Sequence, residues 1–328
     1  MSQVILVIRV IYNIGDTTMI IGTRGSDLAL AQASTVSRML EERGYTTTRK
    51  IIKTIGDTFT DRPLHEIAGV GAFVRELDDR MFAGDVDIAV HSMKDLPTER
   101  PDGLAIAAVL ERDSPFDVLL TQDGTTLDEL PEGAIIGTTS MRRRAQLLRY
   151  RPDMEVLDIR GNINTRIEKL RSGKYDGIML AEAGLERMGW DLGAERLDPD
   201  QFCPSANQGT IAVVTRSGGE AESVCSHIDH LQSRIETEVE RILITDVEGG
   251  CIVPIGSFAR IVENGTKIHV RAEVLALDGT YNVGVEDTIP VDNYHEHAAR
   301  LGQRLVEVGG KELVHDAICH LSRPDENI

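Results

Sequence analysis

A chain of 328 residues with 41% hydrophobic and 4% aromatic content can bury an aliphatic core spread over two or three domains. Its formal net charge of −18 sets up a field that repels nucleic acid and anionic membranes, which excludes both as partners. Cys203, Cys225, Cys251 and Cys319 lie far apart, with no C-x-x-C pair and no histidines at ligand spacing, so no disulfide framework and no metal site is expected.

The first 18 residues read as an extension expected to be disordered. Their apolar run is short, is broken by Arg9 and lacks a basic leader and a cleavage site, so it is neither a signal peptide nor a membrane span. Met19 is an alternative start. From there the chain alternates strands and helices. "MIIGT" is a strand, and the helix after "RGSD" has Ser26 as N-cap and Gly44 at C′. "TTTRKIIKTI" is a second strand, "GAFVRELDDRMFAGD" a helix ended by Gly84, and "VDIAVHSMKDLP" a strand running into a loop. This alternation predicts a parallel, doubly wound sheet.

The pattern restarts near residue 115. "AIIGTTS", "MEVLDIR" and "YDGIMLA" are strands, alternating with the helices "MRRRAQLLRY", "TRIEKLRSG" and "EAGLERMG". "GTIAVVTR" follows a Pro/Asn/Gly-rich stretch and is expected to return to the first domain, leaving a cleft between the domains. Beyond residue 230 a helix leads into the turn "VEGGCIVPIGS". Three alternating runs then predict an antiparallel sheet closed by the helix "NYHEHAARLGQRLVEVG". The expected domains are 19–112 with 209–228, 113–208, and 229–328, the last a small α+β domain carrying Cys251.

Arginines recur where strands turn into helices: Arg24, Arg142, Arg143, Arg160 and Arg166. A cation in a first helical turn opposes the helix dipole, whereas a bound anion reverses that sign. In so acidic a chain, three such places point to a ligand with several carboxylates or phosphates; the alternative is surface arginines paired with the abundant Asp and Glu. Arg187 reads as an exposed arginine outside this set. Asp95, in "HSMKDLP" at the carboxyl end of a strand, is a lone carboxylate among these cations, able to stay ionised and stabilise a developing cation, or else to pair with Lys94 or an arginine. His91 beside Ser92 lacks the elbow motif of a nucleophile. Gly249 and Gly250 open the backbone around Cys251, a setting that suits a reactive or modified thiol.

Taken in order, "IGTRGSDLALAQA", "GAFVRELD", "DIAVHSMKDLP", "IGTTSMRRRAQL", "IRGNINTRIEKL", "YDGIMLAEAGLERMG", "NQG" and "VEGGCIVPIGS" resemble the porphobilinogen deaminase (hydroxymethylbilane synthase) family from about residue 20 to 260. The resemblance implies two α/β domains like those of type-II periplasmic binding proteins around a cleft, plus a small α+β domain with an antiparallel sheet. It implies a transferase in which Cys251 forms a thioether to a dipyrromethane cofactor. Four porphobilinogens are then added with loss of ammonia, and hydrolysis releases 1-hydroxymethylbilane.

By the same resemblance, Asp95 stabilises charge on pyrrole nitrogens, and Arg24, Arg142, Arg143, Arg160 and Arg166 hold acetate and propionate groups. Ser26, Ser92, Lys94, Thr138, Ser140 and Gln208 are further contacts. A cytoplasmic monomer of porphyrin (heme) biosynthesis is expected, and the acidic, lysine-poor surface suits a cytoplasm at high salt. Glu66 and Val70 stand where many members carry lysines, and Asn207 where glycine is usual, which leaves the turn before Gln208 open. The competing reading is a solute-binding protein for a small multicarboxylate anion. It has no use for Cys251 or the third domain.

Overall fold

The computed structural model describes residues 18–52, 72–247 and 253–321. Residues 1–17, Glu66, Val70 and Cys251, with the expectations that fall on them, lie outside the described residues. The chain begins with β1 (Thr18–Thr23), α1 (Asp27–Glu41), β2 (Thr46–Ile51), α2 (Ala72–Phe82), β3 (Ile88–Ser92), a single 3-10 turn (Met93–Asp95) and β4 (Leu104–Val109). There follow β5 (Asp117–Thr121), β6 (Ile135–Gly137), α3 (Met141–Tyr150), β7 (Glu155–Leu157), α4 (Ile163–Arg171), β8 (Gly177–Ala181), α5 (Glu182–Met188) and β9 (Glu195–Arg196). The last elements are β10 (Ile211–Arg216), α6 (Glu220–Ser226), α7 (Leu231–Thr245), β11 (Ile255–Val262), β12 (Lys267–Leu275), β13 (Asn282–Pro290), α8 (Tyr294–Glu307) and α9 (Gly310–Leu321).

The chain divides into two compact units: Met1–Arg112 with Thr210–Arg234, and Asp113–Gly209 with Ile235–Ile328. The sheet of the first unit has the order β2-β1-β3-β10-β4. Successive residues of β3 point to opposite faces. Ile88 and Val90 pack with Ala33, Val36 and Leu40 of α1, while Ala89 packs with Leu77 and Met81 of α2. A strand covered on both faces is apolar throughout, which is why this one reads as a continuous hydrophobic run.

The sheet is mixed rather than parallel: β1 runs parallel to β2 and β3, but β10 is antiparallel to both its neighbours. β10 follows residues 113–209 in the chain, and its buried run Ile211–Thr215 fills the slot between β3 and β4. α1 stops at Glu41 with Glu42 as C-cap, so Gly44 (φ +89°) makes its left-handed turn two residues beyond the cap instead of at C′. Thr18, assigned to the extension, already belongs to β1.

The second unit holds two sheets. One has the order β7-β6-β8-β5-β9, with β6 parallel to β7 and β8, and β5 antiparallel to β8 and β9. Leu119 and Met179 face Leu147 of α3, whereas Val118, Ile178 and Leu180 face Ile167 and Leu170 of α4 and Leu185 of α5. The other is the antiparallel β11-β12-β13. The even-numbered Ile268, Val270, Ala272 and Val274 of β12 share a core with Val239 and Leu243 of α7 and with Leu301 and Leu305 of α8. Strands β4, β5 and β9 and helices α6 and α9 go beyond what the periodicity predicted.

Candidate active site

Asp95 owes its position to a short, well-anchored turn. Met93 and Leu96 are buried on either side, Met93 N donates to Thr210 O at 2.9 Å, and Leu96 N closes the turn on Met93 O at 3.1 Å. Asp95 itself is exposed and Lys94 half-buried. In the same unit Ser26 caps α1 through Ala29 N, and Arg24 lies just before it. Gln32 of α1 donates to Ser92 Oγ at 2.8 Å, tying that helix to the end of β3. His91 is buried with Nε2 unpartnered, and burial, with the charges of Arg100 and Arg24 adding to it, pushes its pKa down to about 3, so the ring is neutral.

In the second unit the N-terminus of α3 gathers a second group. Ser140 caps the helix through Arg143 N, and Thr138 Oγ1 accepts from Ser140 N at 3.2 Å. Beneath them lies Asp117, absent from the sequence-based candidates and wholly buried. It accepts from Arg142 Nη1 at 2.6 Å, Arg143 Nη2 and Gln208 Nε2 at 2.8 Å, and Arg143 Nε at 3.0 Å. Burial opposes its charge, but the two guanidinium groups outweigh burial and hold the carboxyl well below the usual range. The only signal in the sequence was an Asp opening an apolar run, which a fully buried strand also shows.

The arginines are not equivalent. Arg143 uses Nε, Nη1 and Nη2 internally, on Asp117, Met179 O and Gln208. Among the described residues, Arg142 bonds through Nη1 alone, to Asp117, Gln146 and Cys203 O, and makes no bond with Nε or Nη2. Arg166 is half-buried; its Nε donates to Gly161 O at 2.9 Å, and among the described residues no carboxylate pairs with it. Burial and the neighbouring Arg143 charge push its guanidinium below its usual pKa. Arg160 has only a 3.8 Å approach to Asp158.

Two readings are corrected or settled. Arg187 is not exposed: its side chain is 10% accessible, and it donates to Asp113 Oδ2 and Gly209 O, both at 2.7 Å. Asn207 adopts φ +62°, the left-handed conformation that glycine would supply, and Asn tolerates it. Its side-chain amide donates to Thr237 O and Glu240, and its backbone N–H reaches Glu240 at 2.6 Å. The turn before Gln208 is therefore preserved.

Residues 19–223 match the model of the porphobilinogen deaminase dipyromethane cofactor binding domain, and residues 234–308 that of its C-terminal domain. The chain belongs to the porphobilinogen deaminase family. A probable porphobilinogen deaminase of Methanococcoides burtonii is 71% identical over 94% of this chain and 100% of its own length. The porphobilinogen deaminase of Desulforamulus reducens is 42% identical over 90% and 96%. Among solved structures, the second substrate binding domain of a putative amino acid ABC transporter from Streptococcus pneumoniae is similar with a TM-score of 0.42 at 10% identity, covering 64% of this chain and 91% of that one.

The chain is thus a transferase of tetrapyrrole biosynthesis, a hydroxymethylbilane synthase with a dipyrromethane cofactor. Among the described residues, Nε and Nη2 of Arg142 make no bond and Arg166 pairs with no carboxylate, which fits a group that carries several carboxylates. Among the described residues no cluster of metal-ligating side chains is assembled, and no helix is long and apolar enough to cross a membrane.

Proposed function

We propose that Arg142, Arg160 and Arg166 hold acetate and propionate groups of porphobilinogen and the growing chain, that Arg24 of the first unit binds such groups as well, and that Asp95 is the catalytic carboxylate. Arg166 carries the proposal. In a chain with 53 acidic and 35 basic side chains, a half-buried guanidinium that pairs with no acid among the described residues suits an anion from outside. Arg143 and Gln208 hold Asp117, and Asp117 holds Arg142. Ser26 and Ser140 hold the starts of α1 and α3 by capping Ala29 N and Arg143 N, and Ser92, Lys94 and Thr138 complete the polar lining.

When bound through the Cys251 thioether, the dipyrromethane would supply the free pyrrole carbon from which a linear chain of four porphobilinogens grows, one ammonia being lost for each unit. Asp95 then acts electrostatically. Each new bond places positive charge on a pyrrole nitrogen, and a fixed carboxylate stabilises that charge as it develops. The exposed turn and its buried anchors, Met93 and Leu96, suit this task, because the charge is held still without being covered. The protein works as a monomer in a salt-rich cytoplasm. Three domains (19–112 with 209–228, 113–208, 229–328) are retained, since the second unit contains two sheets, each with its own core.

The Asp95 series tests this reading. Asp95→Asn keeps the shape and loses the charge, so single-turnover rate should fall about 100-fold or more with fold and cofactor intact. Asp95→Glu keeps the charge and displaces it, and should retain a small fraction of activity. An Asn variant as fast as the Glu variant, both loaded and folded, removes Asp95 from the mechanism.

A further inference from the structure

We infer that Glu273, on the strand β12 and 127 residues along the chain from Gln146, is a positioning residue for Arg142. The inference rests on the reading of Arg142 as a carboxylate-binding side chain.

On β12 the even positions fill the core, so Glu273 points to the opposite face, yet it is only 3% accessible. Its cross-strand neighbours are both glycines, Gly256 on β11 and Gly284 on β13. At Gly256 a Cβ would lie 2.9 Å from the Cys203 side chain, so the bare backbone there lets this face of the sheet close on the segment next to α3. At the turn after β12, Gly279 (φ +74°) comes closer still: a Cβ would stand 2.4 Å from Ala145 O. The sheet is seated on α3, and Glu273 is the charge it delivers there.

That charge is received by two residues of α3. Arg149 Nη1 donates to Glu273 Oε2 at 2.8 Å, and Gln146 Nε2 donates to Oε1 at 2.8 Å. A carboxylate only accepts, so it obliges Gln146 to turn its NH₂ toward β12. The amide oxygen then faces the other way, where it accepts from Arg142 Nη1 at 2.9 Å. The same Gln146 NH₂ and the same Arg142 nitrogen both donate to Cys203 O, at 2.8 and 2.9 Å. With Asp117 on its third side, Nη1 is fully engaged, which fixes the plane of the guanidinium and with it the direction of the unbonded Nε and Nη2. Glu273 therefore acts on the ligand-facing edge of Arg142 through one amide. With an amide at 273, that side accepts either orientation of Gln146, and the choice is left to Cys203 O and Arg142 Nη1.

A docking ion pair with Arg149 is the rival account, and four variants of the holoenzyme separate the two. Glu273→Gln should raise the KM for porphobilinogen about fivefold with kcat nearly unchanged, since the group acts through binding. Gln146→Met leaves the Arg149–Glu273 pair intact and should raise KM alike, and it carries the test if Glu273→Gln fails to fold. Arg149→Gln should lower the melting temperature and leave KM alone. In an Arg142→Lys background, Glu273→Gln should add nothing further. If Arg142→Lys raises KM and neither Glu273→Gln nor Gln146→Met does, the positioning role is wrong. An equal rise in Arg149→Gln assigns the effect to docking and overturns it as well. An unchanged KM in Arg142→Lys instead removes the carboxylate reading of Arg142, and the inference falls with it.

Discussion

His91 and Asp95 stand four positions apart in one motif, and the fold assigns them opposite tasks. Asp95 is held on an exposed turn, whereas His91 is sealed beneath it with Nε2 unpartnered and a pKa pushed down to about 3, by burial first and then by Arg100 and Arg24. The folded-state pKa lies below the ordinary value of 6.5, so between pH 6.5 and 3 the unfolded chain takes up a proton that the folded protein refuses. Stability must fall as pH drops through that window, by up to about 1.4 kcal/mol per unit, and His91 contributes no slope above it. Asp117, whose pKa is depressed, adds its own loss only below the ordinary carboxylate range, and Asp78, whose pKa burial raises, acts with the opposite sign, so the difference between wild type and a His91 variant from pH 6.5 to 5 isolates His91. Wild type should lose up to about 2 kcal/mol over that interval, and His91→Asn should flatten the slope. Urea midpoints at pH 6.5 and 5 measure this, and an unchanged slope in the variant would mean that His91 takes up its proton as readily in the fold as in the unfolded chain. The motif displays both side chains, but only packing tells which one meets water.

Elements with local signals were legible, and those without them were not. "MRRRAQLLRY" was read with the bounds that α3 has, because Ser140 caps its start and Pro152 lies just past its end. "LAIAAV" and "DVLLT" became β4 and β5 with no alternation to announce them, since strands buried on both faces lose the period of two. α5 shows a third case. The sequence predicts it over 182–189, one residue beyond the helix because Gly189 is its left-handed C-cap, and places Arg187 in solvent because seven residues do not reveal which face is covered. In the fold, Arg187 joins Asp113 and Gly209, the first and last residues of the segment that forms the five-stranded sheet of the second unit. Gly209 has φ +85°, and a Cβ there would lie 2.6 Å from Asp113 O and Ser114 O, so no other residue fits under this clamp. Arg187→Gln should therefore cost about 1.5–3 kcal/mol, a loss of several degrees in melting temperature. A wild-type melting curve would reduce the pair to an ordinary surface contact.

For the molecule as a whole, the charge balance and the cysteines carry the remaining argument. A net charge of −18 would repel a polycarboxylate everywhere but at a prepared site, which makes the internal use of Arg143, against the unbonded edge of Arg142, the informative contrast. That division was invisible in "MRRRAQL", where both arginines look alike. The thiols divide in the same way. Cys203 and Cys225 are buried, and burial pushes their pKa up, to about 12 for Cys225, with Glu273 adding to the effect at Cys203. Cys319 is exposed on α9. Thiolate is the nucleophile toward alkylating reagents, so the two buried thiols should be inert while the fold persists. A Cys251 bound as a thioether has no thiol left to alkylate. Native holoenzyme treated with iodoacetamide at pH 8 should therefore gain one label, on Cys319, and its Cys251 peptide should be unlabelled and heavier by two linked pyrrole units. Denaturation should add labels at Cys203 and Cys225 only, whereas protein prepared without cofactor should add one at Cys251. A fully active enzyme whose Cys251 alkylates as a free thiol would disprove the covalent attachment, and labelling of Cys203 in the folded protein would show that the seat of the C-terminal sheet on α3 opens in solution.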